Sequence, residues 1–451
     1  MFLKGIKRFS INSTDCYIRR MDRVRNPFTP GAGSRPPLLV GRDNELDAMT
    51  VAVGRLAIGR FERSMMLKGL RGVGKTVLLN EFGRIAERNG WIHAHVEATE
   101  DIRVATAVAS LSRRVLLELS LKERSKDRAR RALGALRSFV KVHVPAGEGA
   151  TLVIDFEPRP GRADSGELDG DLSGLFAELG ETARDAGTGV LLTVDEIQYL
   201  TRRELSALIV GLHRVSQLGL PVLLAGAGLP SLPGLAGEAR SYAERLFSYV
   251  DIASLSPPDA KTALVQPAQS EGAEWTPEAI DRVLADTQGY PYFLQEFGKQ
   301  AWNASDGPTI ALADVEAAVV LALDDLDRGF FRARIDRTTD AERDYLKAMA
   351  ALGGPGPYRS GAVSRQLGKT TTQTGPVRDS LIKRGLCYAP RHGDLAFTRP
   401  DVRRLRAPGA LLSNAVCRAC GNRPLFEPRC GSRATTARAV APCERSRGIM
   451  W

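Results

Sequence analysis

The chain has 451 residues, 43% of them apolar, which is enough for two or three domains with their own cores. It holds no uninterrupted apolar run of the roughly 20 residues that a membrane-crossing helix needs, and its first residues lack the apolar stretch of a secretory leader, so a cytoplasmic protein is expected. The net charge of +11 is uneven: residues 26–336 are net acidic, 1–25 and 408–451 each carry 7 basic and 2 acidic side chains, and 337–407 carries 14 basic against 6 acidic.

Residues 1–25 read as an N-terminal extension, expected to be disordered, with Met21 as an alternative start. Val40-Gly41-Arg42-Asp43-Asn44-Glu45-Leu46 then opens a helix. Ser64 to Leu67 is an apolar run of strand type, and behind it Gly69-Leu70-Arg71-Gly72-Val73-Gly74-Lys75-Thr76 spells G-x-x-x-x-G-K-T before an amphipathic stretch that starts at Val77. Strand, glycine-rich loop and helix in this order form the Walker A phosphate loop. Glycines 69, 72 and 74 let the backbone turn its N–H groups toward phosphate oxygens at the positive end of a helix. Lys75 reaches the β and γ phosphates, the Thr76 hydroxyl ligates Mg²⁺, and Val73 and Val77 line the same loop.

Trp91 to Val96 is the next strand, followed by a charged helical insertion over Arg103 to Lys141 and an acidic, glycine-rich stretch over 155–174 that reads as a mobile loop. Val190-Leu191-Leu192-Thr193-Val194 is a continuous β-branched run of the kind buried inside a parallel sheet, and it ends in Asp195-Glu196. Such a pair can serve merely as a helix N-cap. Beside a Walker A loop, Asp195 holds Mg²⁺ and Glu196 polarises the attacking water. Two adjacent acids, with no Asn-Lys-x-Asp motif later in the chain, favour ATP and a sheet of the additional-strand type. Pro221 to Gly226 is the next buried strand, and a last core strand is expected at about 248–255.

The Gly41-Arg42 box, some two dozen residues before the P-loop, is similar to the G-R-x-x-E-L box of many AAA+ and STAND-type ATPases, and the chain resembles the Orc1-like AAA ATPases of bacteria and archaea. The resemblance implies an α/β fold: a three-layer α/β/α P-loop core with a parallel sheet, an all-α lid, and a C-terminal winged helix-turn-helix. It also implies that Val40, Gly41 and Arg42 lie beside the nucleotide, the alternative being a helix start with Arg42 in solvent. Relatives end the strand at 221–226 in a polar sensor, whereas this chain has Ala225-Gly226-Ala227-Gly228, a departure that bears on the rate of hydrolysis more than on binding. Arg245 stands where relatives carry a catalytic arginine acting in cis or from a neighbouring subunit; the alternative is a surface ion pair with Glu244 or Glu238. In STAND-like ATPases a Gly-x-Pro such as Gly289-Tyr290-Pro291 packs Pro291 on the nucleotide, which implies a switch more than a processive motor.

Helices over 258–269, 277–287, 291–303 and 312–331 match the lid. Further on, helices over 340–352, 361–367 and 372–384 precede a hairpin that turns at Arg391-His392-Gly393-Asp394. In a winged helix the third helix enters the major groove, so Lys369, Thr370, Thr371, Thr372, Gln373 and Arg378, with Arg391 and His392 on the wing, are the candidate contacts with double-stranded DNA. Winged helices also serve as protein docking or dimerisation modules.

The stretch after Arg399-Pro400 loses all periodicity and reads as a disordered or frame-shifted tail. Its Cys417-x-x-Cys420 with Cys430 and Cys443 is the alternative of a zinc site, against which the second pair stands about 12 residues apart with no helix or hairpin beside it, and Cys387 alone in the folded body leaves no disulfide to expect. The expected organisation is extension 1–25, ATPase core 26–255, helical lid 256–335, winged helix 336–407 and tail 408–451. The expected function is an ATPase that uses ATP and Mg²⁺ to drive a conformational switch while contacting DNA. The alternative is a STAND-like signalling scaffold in which ATP controls association with itself or another protein.

Overall fold

The computed structural model describes residues 21–397 apart from 100–102, 146–156, 160, 162, 327–337, 354–355 and 392. The expectations for 1–20, for the hairpin's His392 and for the tail with its four cysteines lie outside the described residues.

Five parallel strands, β1 (Ser64–Lys68), β2 (Ile92–Glu97), β3 (Val190–Asp195), β4 (Val222–Gly228) and β5 (Phe247–Asp251), form one sheet in the order β2-β3-β4-β1-β5. Strand β4 lies between the strand that precedes the Gly-rich loop and the strand that ends in Asp195, which is the additional-strand arrangement. Side chains alternate across the pleat, and each face has its own core. Met66, Ala94, Val190, Leu192, Val194, Val222 and Leu224 face one cluster. Met65, Leu67, Leu191, Leu223, Ala225 and Ala227 face the other.

The first face is covered by α3 (Val104–Ser120), α4 (Lys126–His143), α5 (Leu168–Asp185) and α6 (Arg202–Gln217). The insertion is charged outside only: Leu111, Val115, Leu116, Leu133, Leu136 and Phe139 are buried, and each such side chain contributes about 2 kcal/mol of apolar burial. The stretch expected to be a loop over 155–174 is corrected in its last part, because α5 starts at Leu168. Asp169 and Asp171 sit in its first turn, where carboxylates oppose the helix dipole favourably, and Asp171 accepts from the backbone N–H of Ser165 at 2.9 Å and of Gly166 at 3.0 Å.

The second face is covered by α1 (Asp43–Ala57) and α2 (Lys75–Arg88), and its core runs on into the lid helices that follow β5. After the short helices α7 (Leu232–Ala239) and α8 (Ala243–Leu246), the lid comprises α9 (Pro257–Ser270), α10 (Pro277–Thr287), α11 (Pro291–Ala304) and α12 (Leu312–Leu326). Proline sits in the first turn of the first three, where its missing N–H costs nothing. A two-stranded parallel pair, β6 (Glu274–Trp275) with β7 (Thr309–Ile310), ties α9 to α12.

The C-terminal unit has its own core, centred on Tyr345, Met349, Val363, Leu381, Cys387, Leu395 and Phe397. Its elements are α13 (Asp340–Ala351), β8 (Tyr358–Arg359), α14 (Ser360–Gln366), α15 (Thr371–Lys383), β9 (Cys387–Tyr388) and β10 (Asp394–Phe397), the strands forming an antiparallel sheet in the order β8-β10-β9. The hairpin is as expected, whereas β8 is new: a two-residue strand is too short to show alternation. Capping boxes at Thr339/Glu342 and Thr370/Gln373 fix the starts of α13 and α15. Among the described residues no helix is long and apolar enough to cross a membrane.

Candidate nucleotide site

The loop between β1 and α2 lies at the carboxyl edge of the sheet, beside the end of β3. Gly69 is required by packing, because a Cβ there would stand 2.2 Å from the Ile252 carbonyl oxygen. Gly74 is required by conformation: it caps α2 at φ +95°, and the space where its side chain would project is open. Lys75, buried in the first turn, donates from Nζ to the carbonyls of Gly69 at 2.9 Å and Leu70 at 2.8 Å. Burial pulls its pKa down to about 8, against the opposing pull of Glu196 and Asp195 and with help from Arg71.

Thr76 Oγ1 donates to Asp195 Oδ2 at 2.5 Å, joining the two halves of the site directly. The other carboxylate oxygen of Asp195 accepts from the Glu196 backbone N–H at 2.8 Å. Glu196 has φ +52°, a left-handed conformation that a non-glycine residue adopts at a cost of about 1–2 kcal/mol. Its Oε2 accepts from Gln198 Nε2 and lies 3.5 Å from a guanidinium nitrogen of Arg71. A hydroxyl and a carboxylate in contact, beside a lysine satisfied only by neutral carbonyls and an open glycine cradle, fit Mg²⁺ and a phosphate chain.

The two glycines at the end of β4 are closely packed by side chains. A Cβ on Gly226 would lie 2.3 Å from Ile197 and 2.5 Å from Met66, and one on Gly228 would lie 2.9 Å from Gln198 Oε1. Gln198 occupies that corner instead, accepting from the Leu229 N–H at 3.1 Å while donating to Glu196. Sequence reasoning missed Gln198, Tyr199 and Arg71, since the first two follow the motif and the third fills one of its unspecified positions.

Arg42 is not in solvent. It is 8% exposed, and its guanidinium donates to the carbonyls of Val73 at 3.2 Å and Ala253 at 2.5 Å, binding the back of the P-loop to the segment after β5. Burial lowers its pKa, which Glu45 and Asp259 oppose. Gly41, at φ +66°, abuts Asp259; Val40 is half-buried. Pro291 begins α11, whose next residue, Tyr292, donates its N–H to the Gly72 carbonyl at 3.2 Å, so the lid touches the P-loop at the expected element. A strap before α1 also crosses the site: Phe28 is buried against Gly298, and a Cβ on Gly33 would lie 2.9 Å from the Thr76 methyl.

Two expected residues fall elsewhere. Arg245 is exposed just before β5, whose first residue pairs with Ser64, whereas the P-loop leaves from Lys68 at the far end of β1. The parallel sheet therefore puts Arg245 at the opposite edge from its own Walker residues, against action in cis. Arg378 is half-buried: its Nε is buried without an acceptor among the described residues, near Tyr345 and Cys387, while a terminal guanidinium nitrogen donates to exposed Asp379 at 3.0 Å. The signal was present: Thr374, Arg378 and Leu381 are spaced i, i+4, i+7, and the first and last are buried. Lys369, Thr371, Thr372, Gln373 and Arg391 are exposed. Among the described residues no group of three His, Cys, Asp or Glu side chains is placed to hold a metal.

Residues 38–225 match the family model described as AAA ATPase domain, and residues 328–404 match one described as a domain of unknown function (DUF8462). The core is thus an AAA+ ATPase-type, nucleotide-binding domain. Similar solved structures include the Orc1 protein of Aeropyrum pernix in complex with DNA, at 15% identity and a TM-score of 0.45, covering 84% of this chain and 94% of that one. Others are the Thermotoga maritima RuvB Holliday junction branch migration motor (14%, 0.41, covering 79% and 92%) and Cdc6p of Pyrobaculum aerophilum (17%, 0.42, covering 85% and 96%). No curated protein matches the chain.

Proposed function

We propose that the protein binds ATP with Mg²⁺ and hydrolyses it slowly to drive a conformational switch, and that residues 338–397 are a winged helix-turn-helix that contacts double-stranded DNA. The observation that carries the reading is the direct Thr76–Asp195 contact with Glu196 next in the chain, which gathers metal ligands and a base at one sheet edge. Thr76 and Asp195 would hold Mg²⁺, which supplies charge neutralisation on the phosphate oxygens. Lys75 exchanges its two carbonyls for phosphate oxygens. Glu196 takes the proton as the water oxygen bonds to the γ-phosphorus and the bond to the bridging oxygen breaks, giving ADP and inorganic phosphate. Gln198 orients Glu196 in place of a sensor on β4, and Arg245 is free to serve a neighbouring subunit. The fold is compatible with a protein acting in the cytoplasm.

DNA contact is supported by the charge of 337–407 and by the exposed first turn of α15, where Lys369, Thr371 and Thr372 surround a helix start that favours phosphate. A STAND-like scaffold is the second reading, favoured by the lid and the C-terminal unit both touching the P-loop, at Tyr292 and Gly385. Turnover of the full chain with and without duplex DNA separates the two. Stimulation supports the first; no DNA binding together with ATP-dependent self-association supports the second. In either case Glu196→Gln should keep ATP binding and slow hydrolysis by ~10²–10⁴ fold. Equal turnover in that variant and the parent removes Glu196 from the base role.

A further inference from the structure

We infer that Arg71 is a positioning residue that restrains Glu196 and that its own position is set by the C-terminal unit. The inference rests on reading Glu196 as the base. Arg71 occupies an unspecified place in the P-loop motif, yet it is only 8% exposed. One guanidinium nitrogen donates to Tyr199 Oη at 2.8 Å and lies 3.5 Å from Glu196 Oε2. Against the same guanidinium lies Gly385, where α15 ends: a Cβ built on it would stand 2.7 Å from that nitrogen, 2.9 Å from Cζ and 3.1 Å from Nε. Gly385 is buried and adopts φ +65°, so the close approach and the backbone both call for glycine.

One cation therefore touches the P-loop, the turn after β3 and the C-terminal unit. The Glu196 oxygen it faces already accepts from Gln198 Nε2, so one hydrogen bond and one ion pair within the chain compete with water for it. A guanidinium does not lose its proton at any working pH, so the restraint is relieved by movement and not by titration. The backbone at Gly385 blocks one path of that movement. Lifting the C-terminal unit opens space for Arg71 to leave Glu196, which then engages water. Coupling of this kind is reciprocal, so ATP in the site also biases the docking of the C-terminal unit.

The test is steady-state hydrolysis of Mg²⁺-ATP by the full chain in parent, Arg71→Ala, Arg71→Lys, Gly385→Ala, the Arg71→Ala/Gly385→Ala pair, and Glu196→Gln. Arg71→Ala should raise kcat by about 3–10 fold and change KM by less than about twofold, since the restraint acts on the base and not on substrate binding. Arg71→Lys, which keeps a cation, should fall between it and the parent. Gly385→Ala displaces the guanidinium and should raise kcat, and the double variant should not exceed Arg71→Ala, because the two changes act on one contact. A fall in kcat at constant KM in Arg71→Ala assigns Arg71 to charge stabilisation and overturns the proposal, as do independent, multiplying effects of the two changes. Should Arg71→Ala fail to fold, as read by circular dichroism, Arg71→Lys and Gly385→Ala decide, and a kcat no higher than the parent's in both overturns it. Failure of the underlying reading looks different: Glu196→Gln then matches the parent, whatever Arg71 does.

Discussion

The P-loop is gripped from two sides by buried arginines, and the two grips differ in kind. Behind the loop, Arg42 gives its hydrogen bonds to carbonyls of Val73 and Ala253, within a frame formed by the core and the segment after β5. In front, Arg71 meets a phenol, a carboxylate and the backbone of the C-terminal unit. A charge satisfied by main-chain carbonyls of adjoining core segments has one low-energy position. A charge shared between the side chains of one turn and the backbone of a separate unit has as many positions as those two have arrangements, which makes the front of the loop adjustable and the back a fixture.

The largest effect that separates front from back is expected from Lys75→Ala, which should abolish ATP binding by calorimetry, whereas Arg42→Ala should leave binding measurable. Equal loss of ATP affinity in Lys75→Ala and Arg42→Ala would break the distinction. Arg42→Ala should lower unfolding free energy by about 2–4 kcal/mol in urea titration, since two buried carbonyls lose a charged donor. Next comes pH. The Lys75 pKa of about 8 belongs to the nucleotide-free chain, and phosphate favours the charged amine, so binding takes up a proton above that pH. The Kd for ATP should weaken about tenfold from pH 7 to pH 9, and a flat profile would show that the front lysine is not held as described. In the free chain the same depression makes the unfolded state bind the proton more tightly, so this group's contribution to stability grows as pH rises from about 8 toward 10.5. The smallest effect lies farthest from both grips: Lys369→Ala should weaken duplex binding a few fold and reduce the salt slope by about 1, whereas Arg378→Ala should alter stability before DNA affinity.

The motif residues were legible in the sequence because phosphate binding constrains chain geometry locally: the Gly-rich loop, the β-branched run to Asp195 and Pro291 each announce an element with its chemistry attached. What stayed illegible depends on neighbours distant in sequence. Arg42, expected beside the nucleotide, gives its hydrogen bonds to the backbone of Val73 in the loop and of Ala253, a role that requires knowing where Ala253 lies. The register of β5 with β1 puts Arg245 at the other edge of the sheet from its own Walker residues, which tells against action in cis and leaves the neighbouring-subunit alternative. The loop expected through residue 174 is helix from Leu168, with Leu172, Leu175, Phe176 and Leu179 buried in the core and Asp171 holding the entering turn through the N–H groups of Ser165 and Gly166, contacts that composition hides. The helical wheel sets Arg378 between buried Thr374 and Leu381, so its guanidinium is divided between the core and exposed Asp379.

The backbone at Glu196 carries an evolutionary implication. A left-handed position is easiest for glycine, so random substitution drifts toward a residue that relaxes the turn while deleting the carboxylate. Fitness measured as thermal robustness and fitness measured as turnover pull this codon in opposite directions. A glutamate retained in such a turn across related sequences would record selection for chemistry, and its loss to glycine would mark lineages that keep the nucleotide only as a ligand.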